Sequence, residues 1–227
     1  MAKKKDELEE YMKYLEILSY SHDRNYVFND FLTIVVCTLS MKQKEEEYLA
    51  TIRKYKREEI DLYVKAFASL VLWMEEHQLE DPFGDYFQEN ISKGHNAQFF
   101  TPSCISDMMA AIVDPNVKDG PVYDPCCGSG RFFLSAAKQN RGISFVGGDI
   151  TEACCKMTLI NACLNDIVGE VFHMNSLSME IWRCWRVVRM PIVRLPYIVE
   201  IPVRKLEPEQ DAEASNQNRG IIITEFL

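Results

Sequence analysis

The sequence predicts an α/β protein led by a helical region, and three observations carry that reading. Over the first ~90 residues, apolar side chains recur at three- and four-residue intervals, the period of a helix with one buried face. From Val122 to Met174, short apolar runs alternate with helical stretches at ~20–25-residue spacing, the rhythm of βαβ units and a parallel sheet. A glycine turn, Gly128-Ser-Gly130, sits where the first of these runs hands over to a helix, which is where α/β sheets bind their ligands.

Taken in order, Asp6 to Tyr20 places Leu8, Tyr11, Tyr14, Leu15 and Leu18 on one helical face. Asn29 and Asp30 are candidate caps for a second helix through Phe31, Ile34, Val35 and Leu39. Lys42 to Arg57 is dense in Lys and Glu and reads as a solvated helix laced with i,i+4 pairs. Its Arg53-Lys-Tyr-Lys-Arg57 run is read as a solvated face in preference to a nucleic-acid contact. Ile60 to Met74 is a further amphipathic helix, broken by Asp81-Pro-Phe-Gly84. Strands are expected at Val122–Asp124, Ser144–Ile150 and Glu170–Met174, with helices at Phe132–Gln139 and Thr151–Asp166 between them. The division expected is a helical domain over 1–90 and an α/β domain over 91–227, its last part from about 178 divergent. Glu207 to Arg219 reads as a polar loop or tail, and Gly220 to Phe226 as a candidate last strand.

Composition narrows the function. No run approaches the ~20 apolar residues of a membrane span, and the lysine-rich start lacks the apolar core of a secretory signal. A cytoplasmic protein is expected. The 8 cysteines include two adjacent pairs, Cys126-Cys127 and Cys154-Cys155, but no C-x-x-C, and the 4 histidines are not spaced to join them. That argues against a metal site and for small buried side chains in a reducing compartment. A net charge of −9 is not that of a protein that grips phosphate backbones over its whole surface. One local exception runs from Ile181 to Lys205, where Arg183, Arg186, Arg189, Arg194, Arg204 and Lys205 face a single acid, Glu200.

The chemistry concentrates at Asp124-Pro-Cys-Cys-Gly-Ser-Gly130. Glycines there let backbone approach a ligand, and the amides opening the next helix point at the same spot. Asp149 ends the following strand, about 25 residues on, where an acid accepts hydrogen bonds from ribose hydroxyls. Neither G-x-G-x-x-G nor a Gly-Lys-Ser/Thr phosphate loop is present. An acid opening the loop suits a nucleoside with a cationic amino-acid end and no phosphate, and S-adenosylmethionine fits. Cys126 and Cys127 beside a helix N-terminus read as tolerated small residues in preference to a nucleophile. Ser129 reads as a loop residue whose hydroxyl caps the helix, and His95 as a surface histidine.

These residues resemble the adenine-specific DNA methyltransferases, in particular the modification subunits of type I restriction systems. Asp124 to Gly130 looks like the family's cofactor loop, and Ala97-Gln-Phe-Phe-Thr-Pro102 is similar to its upstream Thr-Pro signature. Asp149 after Gly147-Gly148 matches the second motif, Asn161 and Leu164 the N-x-x-L helix, and Asn175-Ser-Leu177 the third motif. Asp81 to Tyr86 resembles the link between the helical and catalytic domains. The resemblance implies a Rossmann-like S-adenosylmethionine-dependent methyltransferase fold. It also implies roles: Phe100, Thr101 and Pro102 close over the methionine end. Asp124, Pro125, Gly128 and Gly130 hold the amino-acid portion, Asp149 takes the ribose, and Asn175 sits by the adenine. DNA is the implied substrate, and a specificity or other partner subunit an implied companion.

The resemblance stops after Leu177. The family's Asn/Asp-Pro-Pro-Tyr/Phe motif is missing, so no residue is assigned as acceptor for the adenine amine. Two alternatives therefore stand beside DNA methyl transfer: a non-catalytic cofactor-binding or DNA-associated module, and a methyltransferase for another substrate with an acceptor between Trp182 and Tyr197. Trp182, Arg183, Trp185, Arg186 and Arg189 fall at three-residue spacing. One helix carrying them is expected either to stack and pair with nucleotides or to bury its tryptophans and keep its arginines in water.

Overall fold

The N-terminal residues form α1 (Glu7–Ser19), α2 (Arg24–Leu39), α3 (Glu45–Ile52) and α4 (Arg57–Glu76) in a computed structural model that describes residues 7–92, 99–113 and 120–203. Expectations for Ala97, Gln98, His95, Arg204, Lys205, the 207–219 stretch and the 220–226 strand lie outside the described residues.

α2 begins earlier than its sequence suggests. Asp23 caps it, its Oδ1 accepting the Asn25 and Tyr26 amides at 2.9 and 3.3 Å, so Asn29 and Asp30 lie inside the helix. Asp30 is not a cap. It is buried and accepts from Lys54 Nζ at 3.0 Å and Tyr55 Oη at 2.8 Å. A cap competes with any other cap nearby, and Asp23 wins because Val27 and Phe28 then join the core. The expected Lys42–Arg57 helix is likewise two pieces: α3 ends at Ile52, and Arg57 opens α4 after a turn. Glu59 Oε2 reaches back to accept the Lys56 amide at 2.8 Å and fixes that start.

A short helix α5 (Gly84–Tyr86) runs into a π-helical turn (Phe87–Ser92), and α6 (Ser103–Val113) follows. The α/β part then alternates as expected: β1 (Val122–Asp124), α7 (Arg131–Gln139), β2 (Ser144–Asp149), α8 (Glu152–Leu164) and β3 (Val168–Asn175). β1, β2 and β3 are parallel neighbours, with Asp124 opposite Gly147 and Asp149 opposite His173. The chain continues as two antiparallel strands, β4 (Glu180–Arg189) and β5 (Pro196–Ile201), so the sheet order is β1-β2-β3-β4-β5.

β4 corrects the helix expected at Trp182 to Arg189. Strand alternation, not a three-residue period, governs this segment: Trp185 and Val187 face the main core, while Cys184 joins Phe172 and Met174 in a smaller cluster. A bulge between His173 and Met174 shifts the pairing and sets Trp182 edge-on to His173. The main core is continuous across residue 90. It joins Tyr11, Phe28, Phe31, Leu70 and Phe83 to Phe133, Phe145, Ile160, Trp185 and Ile198.

Candidate functional site

The carboxyl ends of three adjacent parallel strands present Asp124, Asp149 and Asn175 to one cavity of about 400 Å³. That is within the size range of small-ligand clefts. Each group is anchored by a backbone amide. Asp124 Oδ1 accepts from the Cys126 N–H at 2.9 Å. Asp149 accepts from Gly128 and Thr151 at 3.0 and 2.8 Å, which ties the end of β2 to the glycine turn. Asn175 Oδ1 accepts from Leu177 and Ser178, and the Ser176 hydroxyl donates to the Pro125 carbonyl, so the third loop is pinned to the first.

The glycine turn requires its glycines. Gly128 and Gly130 have φ of +56° and +82°, and the ring of Phe100 lies where a Cβ on Gly128 would go, at 2.9 Å. Phe100 therefore covers the loop directly. Its own N–H donates to Gln88 Oε1 at 2.9 Å, and its ring meets Phe87 edge-on. From below, α8 holds the loop carbonyls: Thr158 Oγ1 donates to Gly128 O and Asn161 Nδ2 to Ser129 O, both at 2.9 Å. Ser129 does not cap the helix; its hydroxyl donates to Asp81 Oδ2 at 2.6 Å.

Burial pushes the carboxyl groups of both Asp124 and Asp149 above the ordinary aspartate range. For Asp124 the nearby Asp149 charge adds to the rise, whereas for Asp149 the Thr151 and Gly128 amides oppose it. Burial also raises the thiols of Cys126 and Cys127, aided by the same two acids, which is opposite to what a thiolate nucleophile needs. Two carboxylates at one cavity are a charge that a cation or a set of hydroxyl donors would offset. Their folded state holds protons more tightly than the unfolded chain. Stability from these groups is therefore gained as pH falls from neutrality toward ~4, and lost when they ionise. Asp124→Asn is accordingly expected to raise the thermal midpoint of the ligand-free protein at pH 7 while weakening its grip on a cationic ligand. Melting curves and calorimetry on the same sample check both signs.

Of the residues expected at the site, Phe100, Thr101, Asp124, Pro125, Gly128, Asp149 and Asn175 line the cavity, and Gly130 turns the chain into α7 with Pro102 opening α6. The arginine–tryptophan group lies elsewhere. Arg183 pairs with Glu200, Glu152 and Glu47, Arg186 with Glu170 and Arg189 with Asp166. Trp185 is 1% exposed, with the Arg183 guanidinium 4.7 Å from its ring. Three arginines of the apparent basic patch are thus matched by acids brought from other parts of the chain. Among the described residues no cluster of three His, Cys, Asp or Glu has the geometry to hold a metal, and no helix is long and apolar enough to cross a membrane.

Sequence reasoning missed several contributors, among them Ile150, Arg131 and Asp81. Ile150 is 60% exposed and lines the cavity beside Asp149; a large apolar residue directly after a strand-end acid was the available signal. Arg131 lines it too, directly after the glycine turn, and Asp81 lies behind Arg131 in what read as a linker.

The profile of the N-6 DNA methylase family matches residues 80–199, more than half of the chain and every element around the cavity. The chain belongs to the N-6 DNA methylase family. Within curated proteins it is 28% identical over 109 residues to the methylase subunit of the type I restriction enzyme MjaIX of Methanocaldococcus jannaschii, covering 42% of this chain. The match spans only 19% of that subunit's length. A solved Listeria monocytogenes protein, assigned to the class I S-adenosylmethionine-dependent methyltransferases, aligns over 75% of this chain and 54% of its own. The identity is 17% and the TM-score 0.42. At that distance the fold of this N-6 DNA methylase family member rests on its own strand order and register.

Proposed function

We propose that the cavity binds S-adenosylmethionine and that the chain serves methyl transfer to the exocyclic amine of adenine in DNA. The observation that carries this reading is the convergence of two strand-end carboxylates, a positive-φ glycine turn and the Phe100 cover on one cavity. In it, Asp124 and Pro125 with Gly128 and Gly130 bound the amino-acid end, and Asp149 accepts from the ribose hydroxyls. Ile150 and Asn175 flank the adenine. Phe100, Thr101 and Pro102 close over the methionine end. Bound there, the cofactor supplies an electrophilic sulfonium methyl. The chain's part is to fix its orientation and exclude water around it, the geometry from which much of such a rate derives. All eight cysteines are unpaired, which suits a reducing compartment such as the cytoplasm.

A second reading is favoured by one feature. The segment after Asn175 runs to the far edge of β3 as β4 and β5, and among the described residues no strand pairs with the other edge of β1. Among the described residues no strand therefore lies along the open edge of β1 to carry an acceptor for the amine. On that reading the chain binds cofactor and a partner subunit brings the acceptor. Methyl transfer from labelled cofactor to unmethylated DNA separates the two. Incorporation by the chain alone supports the first. Incorporation only on adding a methylase or specificity subunit supports the second, and background counts in every mixture would remove the transferase assignment.

A further inference from the structure

We infer that Asp81 and Arg131 are positioning residues that lock the Thr101 backbone to the glycine turn, so that the Asp81–Gly84 turn backs the lining of the cofactor site from behind Ser129 and Arg131. The inference rests on the S-adenosylmethionine reading above.

The Asp81 side chain is 1% exposed and accepts five hydrogen bonds. Oδ1 accepts from the Phe83 amide and Asn161 Nδ2, both at 3.0 Å. Oδ2 accepts from the Gly84 amide at 3.2 Å, Ser129 Oγ at 2.6 Å and Arg131 Nε at 3.0 Å. The guanidinium then spends its remaining reach on the other walls. Nη1 donates to the Thr101 carbonyl at 2.9 Å and Nη2 to Asp85 Oδ1 at 3.0 Å. One ion pair thus ties together the end of the helical region, the Thr-Pro segment, the glycine turn and α8.

Two physical points argue that this pair is there for geometry. Arg131 is the first residue of α7, where the helix dipole repels a cation, so its placement is unfavourable unless a carboxylate is fixed beside it. A buried ion pair also recovers little more than its own desolvation, which makes it a weak stabiliser but a strict constraint on position. Gly84 shows how strict: a Cβ there would lie 2.5 Å from both Arg131 Nη2 and Asp81 Oδ2. Asp149, on the ribose side, makes no hydrogen bond to Asp81 or Arg131 and is held by the Gly128 and Thr151 amides. The pair should therefore govern the methionine end and leave the nucleoside end alone.

Asp81→Asn and Arg131→Lys test this by calorimetry with S-adenosylmethionine and with 5′-methylthioadenosine, which lacks the amino-acid end. Lysine keeps the charge beside Asp81 but has no fork to reach the Thr101 carbonyl. Both variants are expected to lose at least ~10-fold affinity for S-adenosylmethionine and less than ~3-fold for methylthioadenosine, a gap of about 0.7 kcal/mol or more at ~1.4 kcal/mol per decade. Equal losses for the two ligands, as a partly unfolded variant gives, or no loss for S-adenosylmethionine, would overturn the inference. Wild-type protein that binds neither ligand would instead overturn the site reading beneath it. Ser129→Ala, which removes a single donor to Asp81, provides a milder variant should either of the others fail to fold, and the same selective loss is expected of it.

Discussion

Replacing Trp185 by alanine is expected to cost about 3–5 kcal/mol of folding stability, the usual range for deleting a fully buried indole. Trp185 is among the largest fully buried side chains and sits in β4 between the sheet and α8, packed in the main core with Val171, Val187 and Ile198. Its loss also removes the ring under Arg183, whose guanidinium is held there by Glu200 at 2.9 Å and Glu152 at 2.6 Å. The neighbouring Trp182→Ala should cost ~1 kcal/mol or less. That ring is 41% exposed and meets His173 edge-on. Urea unfolding of the two variants measures the contrast. Comparable losses, or the larger loss at Trp182, would mean that β4 turns its faces the other way.

Asp149→Ala is expected to lower affinity for S-adenosylmethionine by roughly 1.5–3 kcal/mol, the worth of hydrogen bonds to a charged group. The carboxylate does two things at once. It offers lone pairs to the cavity, and through the Gly128 and Thr151 amides it holds the glycine turn against the end of β2. Because burial holds the Asp149 and Asp124 pKa values up, affinity for the cofactor should also fall as pH drops from neutrality into the range just above the ordinary aspartate value of ~4. In the Asp149→Ala protein that fall should be shallower, since one of the two titrating groups is gone. An unchanged affinity in the variant would place the ribose elsewhere.

The α/β half was legible because its signals are local. A strand needs only its apolar run and its ends, so Val122–Asp124 and the Asp149 terminus of β2 were readable from a few neighbours. The helices before it were readable as elements but not at their limits, since Asp23 and Asn29 are equally good caps until Val27 and Phe28 are seen to be buried. β4 was misread for a related reason. A three-residue spacing of Trp182, Trp185 and Arg183, Arg186 fits a helix, and it equally fits a strand interrupted by a bulge. The acids that neutralise those arginines come from Glu47, Glu152, Glu170 and Glu200, pairings made only by the tertiary fold. Asp81 was hidden in the same way. Its partners Ser129, Arg131 and Asn161 lie 48, 50 and 80 positions away, so the turn that looked like a linker buttresses the site from behind.

A calorimetric titration of the intact protein with S-adenosylmethionine at neutral pH tests the central claim most directly. Saturable binding of one molecule per chain is the predicted result. A flat titration with cofactor raised to about 1 mM, a level that detects even affinities near −4 kcal/mol, would contradict it.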